Sequence, residues 1–229
     1  LMPIEKRPMV LYAGNQKLVS EVKDLLGGHA GKVEVSYNVR PSLETEDLDP
    51  GRHELALLMT KLRQRQIKGV EELNLWTAGN LLPTAYAQGR IIRFLSKLYE
   101  STRGLLCVNV GASATSVAAG FGGELTLGVY PQYGLGENLA GLLQETEIDD
   151  IMRWLQLDIS QNMLREYLFQ KSLYPSSIPA TKDEQALSQA IARQALYLAV
   201  RRAQKDFPAQ ARSAQSGIMP PLDLILGGG

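Results

Sequence analysis

Two glycine-rich turns that follow apolar runs are where residue types and spacing in this sequence could do chemistry. They are Val108-Asn109-Val110-Gly111-Ala112-Ser113-Ala114-Thr115 and Leu224-Ile225-Leu226-Gly227-Gly228-Gly229. Small residues let a ligand approach the chain, so such turns can aim several backbone N–H groups at a phosphate. Neither is a Walker loop, because no Gly-Lys-[Ser/Thr] closes it. Neither is a Rossmann turn, because Gly111 is followed by another extended run and not by the helix whose N-terminus would hold a pyrophosphate. A strand-turn-strand phosphate loop is one reading. A pair of ligand-free hairpin or strand-end turns is the other.

The residues in and near these turns each carry two readings. Asn109 is either a magnesium-side ligand or an ordinary turn former. Ser113 and Thr115 could donate to phosphate, although Ser and Thr in turns usually bond their own backbone. Glu137, beside Gly136, could meet a ribose, or it could serve the dipole of the helix that follows. Elsewhere the chemistry is thin. Glu44, Glu46, Asp47 and Asp49 lack calcium-loop spacing, and His29 and His53 have no Cys or His partner at ligand spacing. Arg201, Arg202 and Lys205 read as dipole partners at a helix end. Cys107 lies in an apolar run with no cationic neighbour to activate it, and reads as a small hydrophobe.

The elements that must position these turns follow from periodicity. Met9 to Ala13 reads as a strand, and Leu18, Val22 and Leu25 mark a helix capped by Asn15 and stopped at Gly27-Gly28. Val33 to Val39 reads as a second strand, which makes a parallel β-α-β unit. Pro41 to Gly51 is an acidic loop. A helix over Leu55, Leu58, Met59 and Leu62, a short strand at Leu73 to Thr77 and a helix from near Thr84 complete an α/β part, residues 1–100. From residue 101 to 229 the texture changes. Leu105 to Val110, Thr115 to Ala119 and Leu125 to Tyr130 are separated by small-residue turns and predict a three-stranded antiparallel meander. Helical runs follow over Leu139–Leu143, Ile148–Leu155 and Met163–Leu168. The capping box Thr181-Lys-Asp-Glu184 opens a long helix ending near Phe207-Pro208, and Leu222 to Leu226 predicts a buried strand. The fold class is α/β, with a mixed sheet flanked by helices.

Composition restricts the function classes. Of 229 residues, 45% are hydrophobic and 21% charged, which is ordinary for a folded globular protein. Lys plus Arg (24) balance Asp plus Glu (24), so no global basic field exists to hold a phosphate backbone, and nucleic acid is not an expected partner. One cysteine cannot form an internal disulfide, which fits a reducing compartment. No apolar run is long enough for a membrane span, and the opening residues lack a signal-peptide core, so a cytoplasmic location without membrane association is expected.

The order strand, Asn-Val-Gly-Ala-Ser-Ala-Thr turn, strand, Gly134-Leu-Gly136-Glu137, helices, then a strand ending in Gly227-Gly228-Gly229 resembles the second half of actin-like ATPases, whose fold is ribonuclease H-like. More closely, Val10-Leu-Tyr-Ala-Gly-Asn15, Lys68-Gly69-Val70, Pro83-Thr84-Ala85, Asp149-Asp-Ile-Met-Arg-Trp154, Lys171-Ser-Leu-Tyr-Pro175, Ile178-Pro-Ala-Thr181 and Leu222-Asp-Leu-Ile-Leu-Gly-Gly-Gly229 resemble the glutamate mutase L family. That resemblance implies a reactivating, chaperone-like ATPase that binds ATP with magnesium and serves an adenosylcobalamin-dependent mutase. It makes Asn109, Gly111, Ala112, Ser113 and Thr115 the second phosphate loop. Gly136, Glu137 and Gly227 to Gly229 join it as nucleotide-binding residues, the glycines opening the adenosine turn. The family pattern has Asp where this chain has Asn109, and no Asp-x-Gly-[Ser/Thr]-[Ser/Thr] turn supplies a first phosphate loop. The resemblance therefore implies a piece of a longer protein that does not hydrolyse ATP by itself. A non-catalytic α/β interaction or scaffold domain is the alternative.

Overall fold

A computed structural model of the chain describes residues 3–99, 103–136, 138–155, 158–211 and 218–229. They fall into two compact units, 1–86 and 87–229.

In the first unit, strand β1 (Met9–Tyr12) leads through a single 3-10 turn, capped by Asn15 accepting from the Lys17 N–H, into helix α1 (Val19–Gly27). Strand β2 (Lys32–Val35) then pairs with β1 in parallel, Val10 opposite Val33. The expected β-α-β unit is present, and its second strand is shorter than the apolar alternation implied. Beyond Val35 the chain stays tied to β1's end, because the Ser36 N–H donates to the Tyr12 carbonyl at 2.9 Å. Helix α2 (Asp49–Gln66) starts with Pro50 in its first turn, where a missing N–H costs nothing. The short strand expected at Leu73 to Thr77 is instead helix α3 (Val70–Trp76). The alternation of Leu73 and Leu75 mimics a strand, but Glu71 and Glu72 in the first turn complement a helix dipole, and no described neighbouring strand offers a ladder.

Helix α4 (Thr84–Ser96) bridges the boundary between the units in sequence. The second unit is then built on strands β3 (Gly104–Val110), β4 (Thr115–Phe121), β5 (Glu124–Tyr130) and β6 (Leu222–Gly228). Their order is β5-β4-β3-β6, with antiparallel β3-β4 and β4-β5 pairs and β6 parallel to β3. The expected meander is present. Gly122 and Gly123, with φ of 57° and 89°, close its second hairpin, because a turn whose twist matches that of the strands needs positive φ at both central residues.

Strand β4 is buried along its whole length, so the sheet is covered on both faces. On one face Leu106, Val117, Ala119 and Phe121 pack against helices α5 (Leu139–Gln144), α6 (Ile148–Met152), α7 (Gln161–Leu173) and α8 (Lys182–Ala203). On the other, Leu105, Cys107 and Ala118 meet Ile92 and Leu95 of α4. Each fully buried large apolar side chain, Phe121 among them, contributes about 1.5–3 kcal/mol. The capping box is realised: Thr181 Oγ1 accepts from the Glu184 N–H at 3.1 Å while Glu184 accepts from the Thr181 N–H at 3.3 Å. The α-helix ends at Ala203 and continues as a 3-10 turn to Asp206. The expectation for β6 needs correction, since most of its residues are exposed and the strand runs on through Gly227 and Gly228. With its outer edge unpaired among the described residues, it lacks the cover that an internal strand receives.

Candidate functional site

The two glycine-rich segments meet at one end of the four-stranded sheet. Because β6 is parallel to β3, the C-terminal ends of both strands lie together, with Val108 opposite Gly227 and Asn109 opposite Gly228. A Cβ on Gly228 would stand 3.1 Å from Asn109 Oδ1, and one on Gly229 would stand 2.5 Å from the Val110 carbonyl oxygen. At 229 the clash is with backbone and glycine is required, whereas at 228 a larger residue would have to displace the Asn109 side chain. Gly227 and Gly228 are thus ladder residues of β6, where the resemblance had implied the opening of a turn.

The loop from Gly111 to Ala114 is held from behind. Its N–H at Gly111 donates to the Ala114 carbonyl at 3.0 Å. The Gly111 carbonyl accepts from the Leu135 N–H at 3.1 Å, and the Ala112 carbonyl from the Gly136 N–H at 2.8 Å. Asn138 Nδ2 donates to the Ser113 carbonyl at 3.2 Å. A Cβ on Gly134 would lie 2.6 Å from the Ser113 carbonyl carbon, so the supporting segment touches the loop backbone directly. With its carbonyls engaged, the loop keeps the N–H groups of Ala112, Ser113 and Ala114 without an acceptor among the described residues. Ala112 and Ser113 are exposed. Successive donors without an acceptor beside occupied carbonyls are what a backbone anion site in a turn requires.

The candidate residues are therefore divided. Asn109, Gly111, Ala112, Ser113 and the Gly228-Gly229 end come together, and Gly136 belongs to the strap that orients the loop. Thr115 does not present its hydroxyl: it is fully buried, and Oγ1 donates to the Tyr133 carbonyl at 2.8 Å. Its role is structural because the alternation along β4 turns it into the core. Glu137 lies outside the described residues. Among the described residues no group of three or more His, Cys, Asp or Glu side chains could hold a metal ion. Cys107 is buried, and burial pushes its thiol pKa up, away from the reactive thiolate.

Positioning residues that sequence spacing missed sit beneath the strap. The Tyr133 hydroxyl donates to Glu145 Oε2 at 2.5 Å, and Arg202 Nη1 on α8 reaches Glu145 Oε1 at 3.2 Å. Burial, and next the Glu145 carboxylate, raise the Tyr133 pKa, so the phenol stays protonated and keeps donating. Arg202 thus does more than complement the end of α8. No local signal could have revealed its pairing with Glu145, 57 positions away.

Residues 1–214 match the protein family described as MutL protein. "Protein MutL" of Clostridium tetanomorphum is 25% identical over 215 residues, covering 86% of this chain and 46% of that protein. The chain thus spans about half the length of the curated relative it matches. No solved structure matches the chain. No helix of the described residues is long and apolar enough to cross a membrane.

Proposed function

The chain belongs to the MutL protein family, and on that premise we propose that it is the phosphate-loop part of an actin-like nucleotide-binding protein acting as a reactivating chaperone for an adenosylcobalamin-dependent mutase. The observation that carries this reading is the loop Gly111–Ala114, whose N–H groups at Ala112, Ser113 and Ala114 have no acceptor among the described residues and which adjoins the glycine end of a parallel strand. The antiparallel meander with a parallel strand added to its first member supports the actin-like, ribonuclease H-like architecture.

The residues fit a phosphate. Ala112, Ser113 and Ala114 would hold it by backbone donors, and the glycine end leaves space for close approach. The fit to magnesium is weaker, because Asn109 offers a neutral amide oxygen where a carboxylate would attract a hard dication. Bound ATP with magnesium would supply phosphoryl-transfer energy for remodelling the partner. This chain's residues would bind and orient the phosphates. By itself the segment is expected to turn over no ATP, because the donors that oppose the loop across a cleft are needed to stabilise developing charge.

The second reading, a non-catalytic interaction domain, is favoured by the neutral Asn109 and by the inward-facing Thr115. Thermal unfolding of the full-length protein with ATP or ADP, with and without magnesium, separates the two. A nucleotide-dependent rise in melting temperature, together with restored turnover of a cobalamin-inactivated mutase, supports the chaperone. No rise, with a stable mutase complex, supports the interaction domain.

A further inference from the structure

A second site lies within the first unit, at the C-terminal end of its parallel strand pair. There Gln16, Val35, Ser36, Tyr37, Pro50, His53 and Glu54 line a cavity of about 420 Å³. The crevice beyond the carboxyl ends of parallel strands is a general place for ligands in α/β units. Ser36 is 3% exposed, and its Oγ is a buried side-chain oxygen with no hydrogen-bond partner among the described residues. A buried hydroxyl without a partner is a standing cost, relieved when a χ1 rotation brings it to a ligand atom in the cavity it lines.

The lining has a definite sign. Among the described residues no Lys or Arg contributes to it, and Glu54 is the one carboxylate that lines it. That carboxylate is half-buried and has no ion pair or hydrogen bond among the described residues. Gln16 uses its amide nitrogen to donate to the Ser36 carbonyl at 2.8 Å and the Gly14 carbonyl at 3.3 Å, which leaves Oε1 as an acceptor. His53 is oriented by its Nδ1 contact with the Tyr86 hydroxyl at 3.0 Å. Tyr37 is 76% exposed and offers an aromatic face. Acceptors, one unpaired carboxylate and an aromatic ring together select a ligand rich in donors and positively charged. We infer that this cavity binds a small organic cation bearing amine or guanidinium groups, held by Glu54, Ser36 and Gln16 and covered by Tyr37.

Agmatine tests this on the full chain, with 1,4-butanediol and succinate as neutral and anionic controls. Amide resonances of Gln16, Ser36, Tyr37 and Glu54 are expected to shift saturably with agmatine and not with either control. Glu54→Gln should weaken binding about fivefold or more, as loss of a partly buried charge pair requires. Tyr37→Ala should weaken it about threefold. Ser36→Ala should also bind more weakly while raising the melting temperature of the free protein, because it deletes an unpaired buried hydroxyl. No saturable shift with agmatine at millimolar concentration, equal binding of butanediol, or unchanged affinity in Glu54→Gln would each overturn the assignment. None of these outcomes bears on the phosphate-loop reading, whose residues lie in the other unit.

Discussion

Asn109 of β3 stands opposite Gly228 of β6, and its side-chain oxygen occupies the space, 3.1 Å away, into which any larger residue at 228 would project. This pairing places the one amide side chain of the phosphate-loop strand against a glycine, which has no side chain. It sets what a charge at position 109 would do.

Asn109→Asp in the full-length protein is expected to strengthen the magnesium dependence of nucleotide binding, because a carboxylate adds a formal charge and a hard oxygen. Affinity for metal-free nucleotide should stay equal or fall slightly through repulsion, since the N–H groups of Ala112 to Ala114 are unchanged. Calorimetric titration of both variants with and without magnesium measures this. An unchanged magnesium dependence would favour the interaction-domain reading.

Gly134→Ala puts a methyl 2.6 Å from the Ser113 carbonyl carbon and 2.7 Å from the Ala112 oxygen, both backbone atoms that cannot swing away. It should cost about 1–3 kcal/mol in chemical denaturation of this chain. In the full-length protein it should reduce any nucleotide-induced rise in melting temperature. Wild-type stability would show that the loop and its strap are not in contact.

Gln194, 1% exposed on α8, accepts from Trp154 Nε1 at 2.8 Å and Arg153 Nη2 at 3.0 Å, and donates to Thr146 Oγ1 at 2.7 Å. Gln194→Leu removes the acceptor for the indole N–H and should destabilise the protein by about 1–3 kcal/mol. In a Trp76→Phe background, the Trp154 emission should shift, which reads the lost hydrogen bond directly. A variant as stable as the parent would show that water replaces the amide.

Glu34 is bonded by Lys32 Nζ and Lys61 Nζ, each at 2.8 Å, and these two ammonium groups lower its pKa to about 2 from an ordinary 4.5. A depressed carboxylate contributes stability that is complete above its unfolded pKa and is lost as pH falls through the folded one. The window is therefore about pH 4.5 down to 2. Glu34→Gln should cost about 0.2–1 kcal/mol at pH 6, the range of exposed ion pairs, and progressively less as pH falls toward 2. Urea denaturation of both proteins across that range checks the sign; a cost undiminished between pH 6 and pH 2 would assign it to packing.

What the sequence determined by itself is local. The cap at Asn15, the capping box of Thr181 and Glu184, the glycine turn at 122–123 and the alternation of three strands each depend on neighbours a few positions apart, so hydrogen bonding and periodicity betray them. The short motifs that resemble the glutamate mutase L family are local in the same sense, and the family match over residues 1–214 bears out the resemblance, though the motif at 222–229 lies beyond the matched residues. Leu73 and Leu75 show the limit, since two apolar residues alternate equally well on a seven-residue helix, about two turns, that is too short to display its period. Only the tertiary structure decided that β6 lies parallel beside β3, that Thr115 points into the core, and that Glu145 and Arg202 brace the strap under the loop. It alone also gathered Gln16, Ser36 and Glu54 around one cavity. Those arrangements join segments far apart in the chain, where burial and backbone pairing select the partner and no spacing in the sequence records the choice.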